Sequence, residues 1–280
     1  MRVFLTLFIL LFTILAFVTF IDESAVKTLD ESIQRAFISF GLAKGLNGII
    51  SLLQGTELSI APAGIGLNLS VGEILDPFND MVERFSWVML ASTISLGIQK
   101  ILLVFSSNLI VKIGIVLSGV FSIVLLWIKN NALAKFSDIF IKIFLIFLIL
   151  RFFAVGFIYS SDFIYQTTLK NEYKESTTGI EKTKVYLDDF KEQNQQNAIK
   201  NQKEDNSLTS FFTKKYNDIK QSINIEKRFS QLQQKIDSAY KNIINIITIF
   251  VFQTIFFPLL FLWLLIGIIK YIYNMKIQYQ

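Results

Sequence analysis

The sequence of 280 residues contains neither cysteine nor histidine, and it has only three prolines. Without cysteine there is no disulfide framework, no thiolate nucleophile and no cysteine metal site. Without histidine, the commonest general base and the commonest transition-metal ligand are missing as well. No Walker loop, G-x-G-x-x-G, G-x-S-x-G or H-E-x-x-H motif is present. We therefore predict that the protein is not an enzyme and that it binds no cofactor or metal.

Charge is also scarce, because only 18% of the residues are charged whereas 52% are hydrophobic and 28 are phenylalanine. This composition indicates a membrane protein. The net charge of +5 is small, and no cluster of Arg and Lys with interleaved aromatic residues predicts nucleic-acid binding. The frequent use of Phe, Ile, Lys and Asn is typical of an AT-rich bacterial genome, so we expect a multi-pass protein of a bacterial inner membrane.

Four apolar segments reach the ~20 residues that a helix needs to cross the hydrocarbon core of a bilayer. They are residues 3–21, 109–128, 139–160 and 246–269. The first exceeds the ~7–15 apolar residues of a signal peptide and has no A-x-A-like cleavage site, so we interpret it as an anchor. A cleaved signal peptide is the alternative. In the last segment Pro258 is expected to bend the helix.

These segments predict a mainly α, multi-pass membrane protein with about four transmembrane helices, a small β-hairpin and a long extracytoplasmic helical hairpin. Five parts follow one another along the chain. They are an N-terminal anchor (1–21), an extracytoplasmic or interfacial helix–hairpin–helix region (22–108), two transmembrane helices with a short cytoplasmic loop (109–160), a coiled-coil-like extracytoplasmic hairpin (161–245), and a last transmembrane helix with a cytoplasmic tail (246–280).

The two extracytoplasmic parts have local signals of their own. Residues 24–54 have helical periodicity, and alternating residues on both sides of Pro62 predict the β-hairpin. Asp76 is expected to be the N-cap of the next helix, with Pro77 at its first position. In the polar insert, residues 191–206 are the natural turn before a long helix that runs into the last span.

The distribution of lysine decides the topology. The short loop with Lys129, Lys135 and Lys142 and the tail after the last span favour the cytoplasm. Four spans place both there, together with Arg2.

Residues 86–107 are also long and apolar, but as a fifth span they would move the loop and the tail outside. Lys100 would add a cost of about 2.5–3.5 kcal/mol at the bilayer centre. We expect this segment to lie on the membrane surface or to enter it partway. Six spans, with 36–53 and 86–107 both crossing, are the alternative.

Arg151, near the middle of the span 139–160, is the first candidate functional residue, because an ionisable side chain in a span is expected to be functional. No Asp or Glu lies inside a predicted span, so Arg151 has no obvious ion partner. Its guanidinium could face a water-filled cavity, a lipid phosphate, or polar groups such as Gln253 and Thr254. The alternative is that the span slides to place Arg151 nearer the surface.

Six further residues complete the candidate set. They are Lys100, Lys112, Lys142, Asp76, Asp80 and Glu83. The lysines could attract anions or lipid head groups. We interpret the acidic residues as helix-start chemistry; a metal or catalytic use is the alternative, although the spacing of a calcium loop is missing.

We predict a structural, assembly or envelope-sensing component that acts through protein–protein contacts. Its expected partners are membrane lipids and either a second copy or other membrane or periplasmic proteins. The alternative is a channel or transporter for anions or lipids that uses Arg151 and the nearby lysines. A proton- or cation-coupled transporter usually has an acidic residue in the membrane, and the sequence predicts none. It also predicts no discontinuous helices in repeated halves.

Overall fold

A computed structural model describes the backbone of residues 2–54, 57–60, 67–128, 131–201 and 210–275, and the side chains of 2–54, 73–128, 136–193 and 227–275. The described chain is almost entirely helical, which confirms the mainly α class. Five of its helices are long and apolar enough to cross a membrane. The predicted class of a membrane protein with transmembrane helices therefore fits the fold.

The described residues form eight α-helices and two short strands. They are α1 (Arg2–Leu15), α2 (Phe20–Gln54), β1 (Glu57–Ile60), β2 (Leu67–Ser70), α3 (Val71–Ser106), α4 (Leu109–Trp127), α5 (Asn131–Ile164), α6 (Lys170–Asn201), α7 (Ser210–Val251) and α8 (Phe257–Asn274). A π-helical turn, Tyr165–Leu169, joins α5 to α6, and a second, Phe252–Phe256, joins α7 to α8. The strands pair antiparallel, with Glu57 opposite Ser70. The predicted turn at Pro62 lies outside the described residues.

The chain forms two compact units, each assembled from separate segments. Unit 1 comprises Met1–Arg35, Ser92–Thr168 and Val251–Gln280, and unit 2 comprises Ala36–Ala91 and Leu169–Phe250. Helices α2 and α3 contribute residues to both units.

In unit 1, helices α1, α4 and α5 share a hydrophobic core. Gly114 of α4 faces the ring of Phe147 on α5 so closely that a Cβ on the glycine would lie 2.5 Å from a ring carbon. One turn later, Gly119 lies against Ile9 of α1 and Phe144 of α5. Residue numbers therefore rise along α4 as they fall along α5, which makes these two helices antiparallel.

The predicted N-terminal anchor over 3–21 is not one helix. Helix α1 ends at Leu15, and α2 begins after a short link in which the carbonyl of Thr19 accepts the N–H of Glu23 at 3.0 Å. Thr19 is thus the N-cap of α2, and Thr19-x-x-Asp22 has the spacing of a capping box. The 14 residues of α1 span only about 21 Å, which is less than the ~30 Å of a hydrocarbon core.

Pro258 is accommodated by the π-helical turn before it. Proline has no N–H and cannot donate to the carbonyl four residues earlier, which is that of Thr254. The Oγ of Ser95 on α3 donates to this carbonyl instead, at 2.8 Å. This hydrogen bond ties α3 to the π-helical turn before α8 within unit 1.

The expected helix start at Asp76 is wrong, because α3 begins at Val71 and contains Pro77 in its interior. Leu75, on the same face as Phe78 and Phe85, is fully buried, so the apolar face of the helix starts before the proline. Asp76 accepts a hydrogen bond from Gln54 Nε2 at 2.7 Å rather than capping the helix.

Unit 2 packs the apolar faces of four helices together. These faces include Leu46 and Ile50 of α2, Phe78 and Val82 of α3, Ile180 and Leu187 of α6, and Leu232, Ile236 and Ile243 of α7. The part of α7 with described side chains thus has the predicted periodic burial; the side chains of residues 194–226 lie outside the description. The predicted turn at 191–206 begins too early, because α6 continues to Asn201, and residues 202–209 lie outside the described residues.

Candidate functional site around Arg151

Arg151 of α5 is buried in unit 1, with 1% of its side chain exposed. Its Nη1 and Nη2 donate to the two carboxylate oxygens of Asp22, at 2.7 and 2.6 Å. Its Nε donates to the carbonyl oxygen of Ala16 at 3.1 Å. The guanidinium also lies 5.4 Å from the ring centre of Phe152. Three N–H groups of the one cation are therefore bound inside the protein.

The interruption between α1 and α2 creates this site. The end of a helix has carbonyl groups without intrahelical partners, and it carries partial negative charge. Arg151 meets the end of α1 at Ala16, and the first turn of α2 supplies Asp22. A carbonyl at the end of α1 and one carboxylate at the start of α2 thus provide the acceptors for the guanidinium.

The expectation that Arg151 lacks an ion partner is wrong. It assumed a straight anchor helix that carries Asp22 out of the membrane, whereas the chain interrupts the helix and keeps Asp22 only 8% exposed. Neither Gln253 nor Thr254 is the partner. The capping pattern Thr19-x-x-Asp22 is the signal in the sequence that could have located the interruption.

A bidentate arginine–carboxylate pair is among the strongest polar contacts in proteins, but burying both ions costs several kcal/mol. The pair has no net charge, and its hydrogen bonds are directed at fixed acceptors. Such an arrangement holds α1, α2 and α5 in one register. It leaves the guanidinium few donors for an anion.

Lys112 is the one other candidate residue close to this interruption. Its ammonium lies 5.9 Å from the ring centre of Phe17, in the link between α1 and α2. A second interruption precedes it, because α3 ends at Ser106 and Asn108 caps α4 by accepting the N–H of Ile110. Two interrupted helix pairs therefore meet near Arg151 and Lys112.

The other two lysines lie elsewhere in unit 1. Lys142 pairs with Asp138 one turn earlier, at 3.2 Å, and donates to the carbonyl of Tyr273. Lys100 pairs with Asp30 of α2 at 2.6 Å, and both side chains are close to half exposed. Lys100 thus has an exposed ion partner, Asp30, that the sequence did not predict.

The three acidic candidates lie on the exposed face of α3 in unit 2. Burial raises the pKa of Tyr240, and the carboxylates of Asp237 and Asp80 raise it further. Among the described residues, no group of three or more acidic side chains is able to hold a metal ion. Asp76 thus accepts a hydrogen bond from Gln54, and Asp80 raises the pKa of Tyr240. All three carboxylates are exposed.

Two side chains of unit 1 were not predicted from the sequence. Arg35 of α2 stacks over the buried ring of Tyr165, 3.8 Å from its centre, at the π-helical turn after α5. Gln99 of α3 has a buried Nε2 that finds no acceptor among the described residues. No pattern of spacing marks either residue, because both depend on packing between distant helices.

Comparison of the chain with protein-family models, with curated proteins and with solved structures gives no match.

Proposed function

We propose that the protein is a structural, assembly or envelope-sensing component of a bacterial inner membrane and that it acts through protein–protein contacts made by unit 2. The observation that carries this proposal is the separate packing of unit 2. Its helices α6 and α7 have charged surfaces around their own buried apolar faces. A separately packed unit with two charged helices, attached to membrane-spanning helices, is suited to binding other proteins.

The interior of unit 2 supports a rigid contact surface. The hydroxyls of Ser39 and Tyr173 share a buried hydrogen bond of 3.3 Å between α2 and α6. On the exposed side, Asn245 of α7 donates to Glu172 of α6 at 2.5 Å. Because a satisfied buried polar contact specifies a unique packing, the hydrogen bond between Ser39 and Tyr173 fixes the position of α2 relative to α6.

A four-span topology agrees with the directions of the helices in unit 1. Phe157 and Lys142 of α5 meet Phe257 and Tyr273 of α8, so α8 is antiparallel to α5, as α4 is. Ile9 of α1 and Phe144 of α5 both lie against Gly119, and seven residues farther along the chain from each, Ala16 meets Arg151. Helices α1 and α5 therefore run in one direction, and α4 and α8 run in the other.

The direction of α3 bears on the segment 86–107. Ser95 meets Thr254, and about three turns farther along both helices, Ser106 and Leu265 border one groove, so α3 runs parallel to α8. Since α3 and α4 both run opposite to α5, they cannot be consecutive full crossings joined by a two-residue link. We therefore assign α3 as a helix that enters partway and leads into α4.

Single-cysteine labelling tests both proposals, because the natural chain has no cysteine. Cysteines replacing exposed residues of α6 and α7, such as Lys174, Lys182 and Ile244, are treated in membranes with a bis-maleimide. We expect a discrete cross-linked product from at least one of them and none from the control Trp263→Cys. A monomer at every position would exclude contacts through unit 2.

The same cysteine variants test the topology. A membrane-impermeant maleimide is expected to label a cysteine at position 174 from outside and a cysteine at position 276 from inside.

The alternative, a channel or transporter, has one supporting observation, which is the pair of interrupted helices beside Arg151 and Lys112. Interrupted helices form ion sites in many transporters. Anion flux into proteoliposomes that is lost in Lys112→Leu, with the fold intact, would favour transport over assembly. Lys142→Leu, a lysine distant from the interruptions, is the matched control.

A further inference from the structure

A groove of about 300 Å³ lies in unit 1 between α3, α5 and α8. This volume is at the lower end of the range for ligand sites. Its walls include Phe157 on α5, Pro258 and Phe261 on α8, and Ser106 on α3. Leu102 and Leu262, on its rim, are more than half exposed, so the groove opens sideways between the helices.

One polar group in this groove has no partner. Gln99 lines it, and the Nε2 of Gln99 is buried without an acceptor among the described residues. A buried donor left without an acceptor costs about 1–3 kcal/mol. A bound water is not a good acceptor for this Nε2, because an ordered water needs two to four polar partners and the lining of the groove is almost entirely apolar.

The position of Gln99 along α3 indicates which acceptor is available. Its neighbour Lys100 and the partner Asp30 are 40% and 48% exposed, and charged groups stay at the polar edge of a bilayer. Gln99 therefore lies just beneath the head groups. From there the groove follows α3 inward to Ser106, which is about 10 Å at 1.5 Å per residue.

We propose that the groove binds one glycerophospholipid, with an ester carbonyl accepting a hydrogen bond from Gln99 Nε2 and the attached acyl chain lying between α3, α5 and α8. The carbonyl satisfies the polar atom of this groove that finds no acceptor among the described residues. The chain fills an apolar space that faces the bilayer. This inference does not depend on the proposed contacts of unit 2.

Lipid retention tests the site. The full-length protein is reconstituted in vesicles of phosphatidylethanolamine and phosphatidylglycerol, extracted, and washed in lipid-free detergent before native mass spectrometry. We expect about one retained phospholipid per chain, as a single site requires, and about tenfold weaker retention in Ala154→Leu, which fills the groove. Gly156→Leu is the matched control on the same helix, because Gly156 is exposed and nothing lies within 4 Å of an added Cβ.

An ether-linked phospholipid with the same chains separates the hydrogen bond from the apolar contact. The natural protein is expected to retain the ester lipid about tenfold better than the ether lipid, whereas Gln99→Leu retains both equally. Gln99→Leu also removes the unsatisfied donor, so its unfolding midpoint in lipid-free detergent should rise. Equal retention of ester and ether lipid by the natural protein, or unchanged retention in Ala154→Leu, would overturn the proposal.

Discussion

Asp22 and Arg151 are 129 positions apart in the chain, and their side chains are joined by two hydrogen bonds of 2.7 and 2.6 Å. The contact exists because α1 ends at Leu15 and α2 begins at Phe20. A continuous helix would place Asp22 about 9 Å along the helix axis beyond Ala16, whose carbonyl meets Arg151. The interruption and the ion pair therefore depend on each other.

Removing one member of this pair should destabilise the protein strongly, because a buried charge then has no counter-ion. We expect Arg151→Leu or Asp22→Leu to cost about 3–5 kcal/mol. The double variant should lose less than either single change, because it buries no unpaired charge. Reversible unfolding in detergent, followed by circular dichroism, measures all three free energies. Additive losses would show that the two side chains do not act as a pair.

The exposed pair Lys100–Asp30 is the control for this experiment, because its nitrogen–oxygen distance is also 2.6 Å. Solvent screening limits an exposed pair to about 0–1 kcal/mol. Lys100→Leu and Asp30→Leu should therefore shift the unfolding free energy little. A loss as large as that of Arg151→Leu would mean that exposure does not distinguish the two pairs.

Gly114 should not tolerate a side chain, because a Cβ there would lie 2.5 Å from the ring of Phe147. We expect Gly114→Ala to cost about 1–3 kcal/mol through overpacking between α4 and α5. Gly156→Ala is the matched control on α5, where nothing lies within 4 Å of an added Cβ. Alanine there should stabilise the helix by up to about 1 kcal/mol. Thermal unfolding of the two variants in one detergent distinguishes these opposite signs.

The fold class was predictable from the sequence because it depends on residues close together in the chain. Apolar runs and helical periodicity located α2, α4, α5 and α8 without knowledge of their neighbours. The start of α3 was wrong because Asp76-Pro77 is a good local signal, whereas the burial of Leu75 is decided by packing in unit 2.

The candidate site was only half predictable, for the same physical reason. Arg151 stands out in the sequence because a charge in an apolar run is costly. Its partner does not, because Asp22 follows an apolar run that is long enough to carry it past the bilayer. Nor does Gln99 stand out, since an amide is unpaired only if no other helix provides an acceptor.

Ser95 should matter because of Pro258. Its hydroxyl donates to the carbonyl of Thr254, which proline cannot reach. We expect Ser95→Ala to cost about 0.5–1.5 kcal/mol. In Pro258→Ala the backbone N–H is restored, so Ser95→Ala should cost less in that background. A double-mutant cycle measured by unfolding gives the coupling, and a zero coupling energy would separate the serine from the proline.

Tyr240 predicts how stability changes in alkaline solution. Burial raises its pKa above 10.0, and the carboxylates of Asp237 and Asp80 add to this effect. The folded protein holds the phenol proton of Tyr240 more tightly than the unfolded chain does. The contribution of Tyr240 to the free energy of unfolding is therefore fully present below pH 10 and is lost as the pH rises through the folded pKa. Tyr240→Phe should flatten this loss, and Asp80→Asn should reduce it. Unfolding midpoints between about pH 8 and pH 11 measure the slopes, and parallel curves for Tyr240→Phe and the natural protein would assign the loss to other groups.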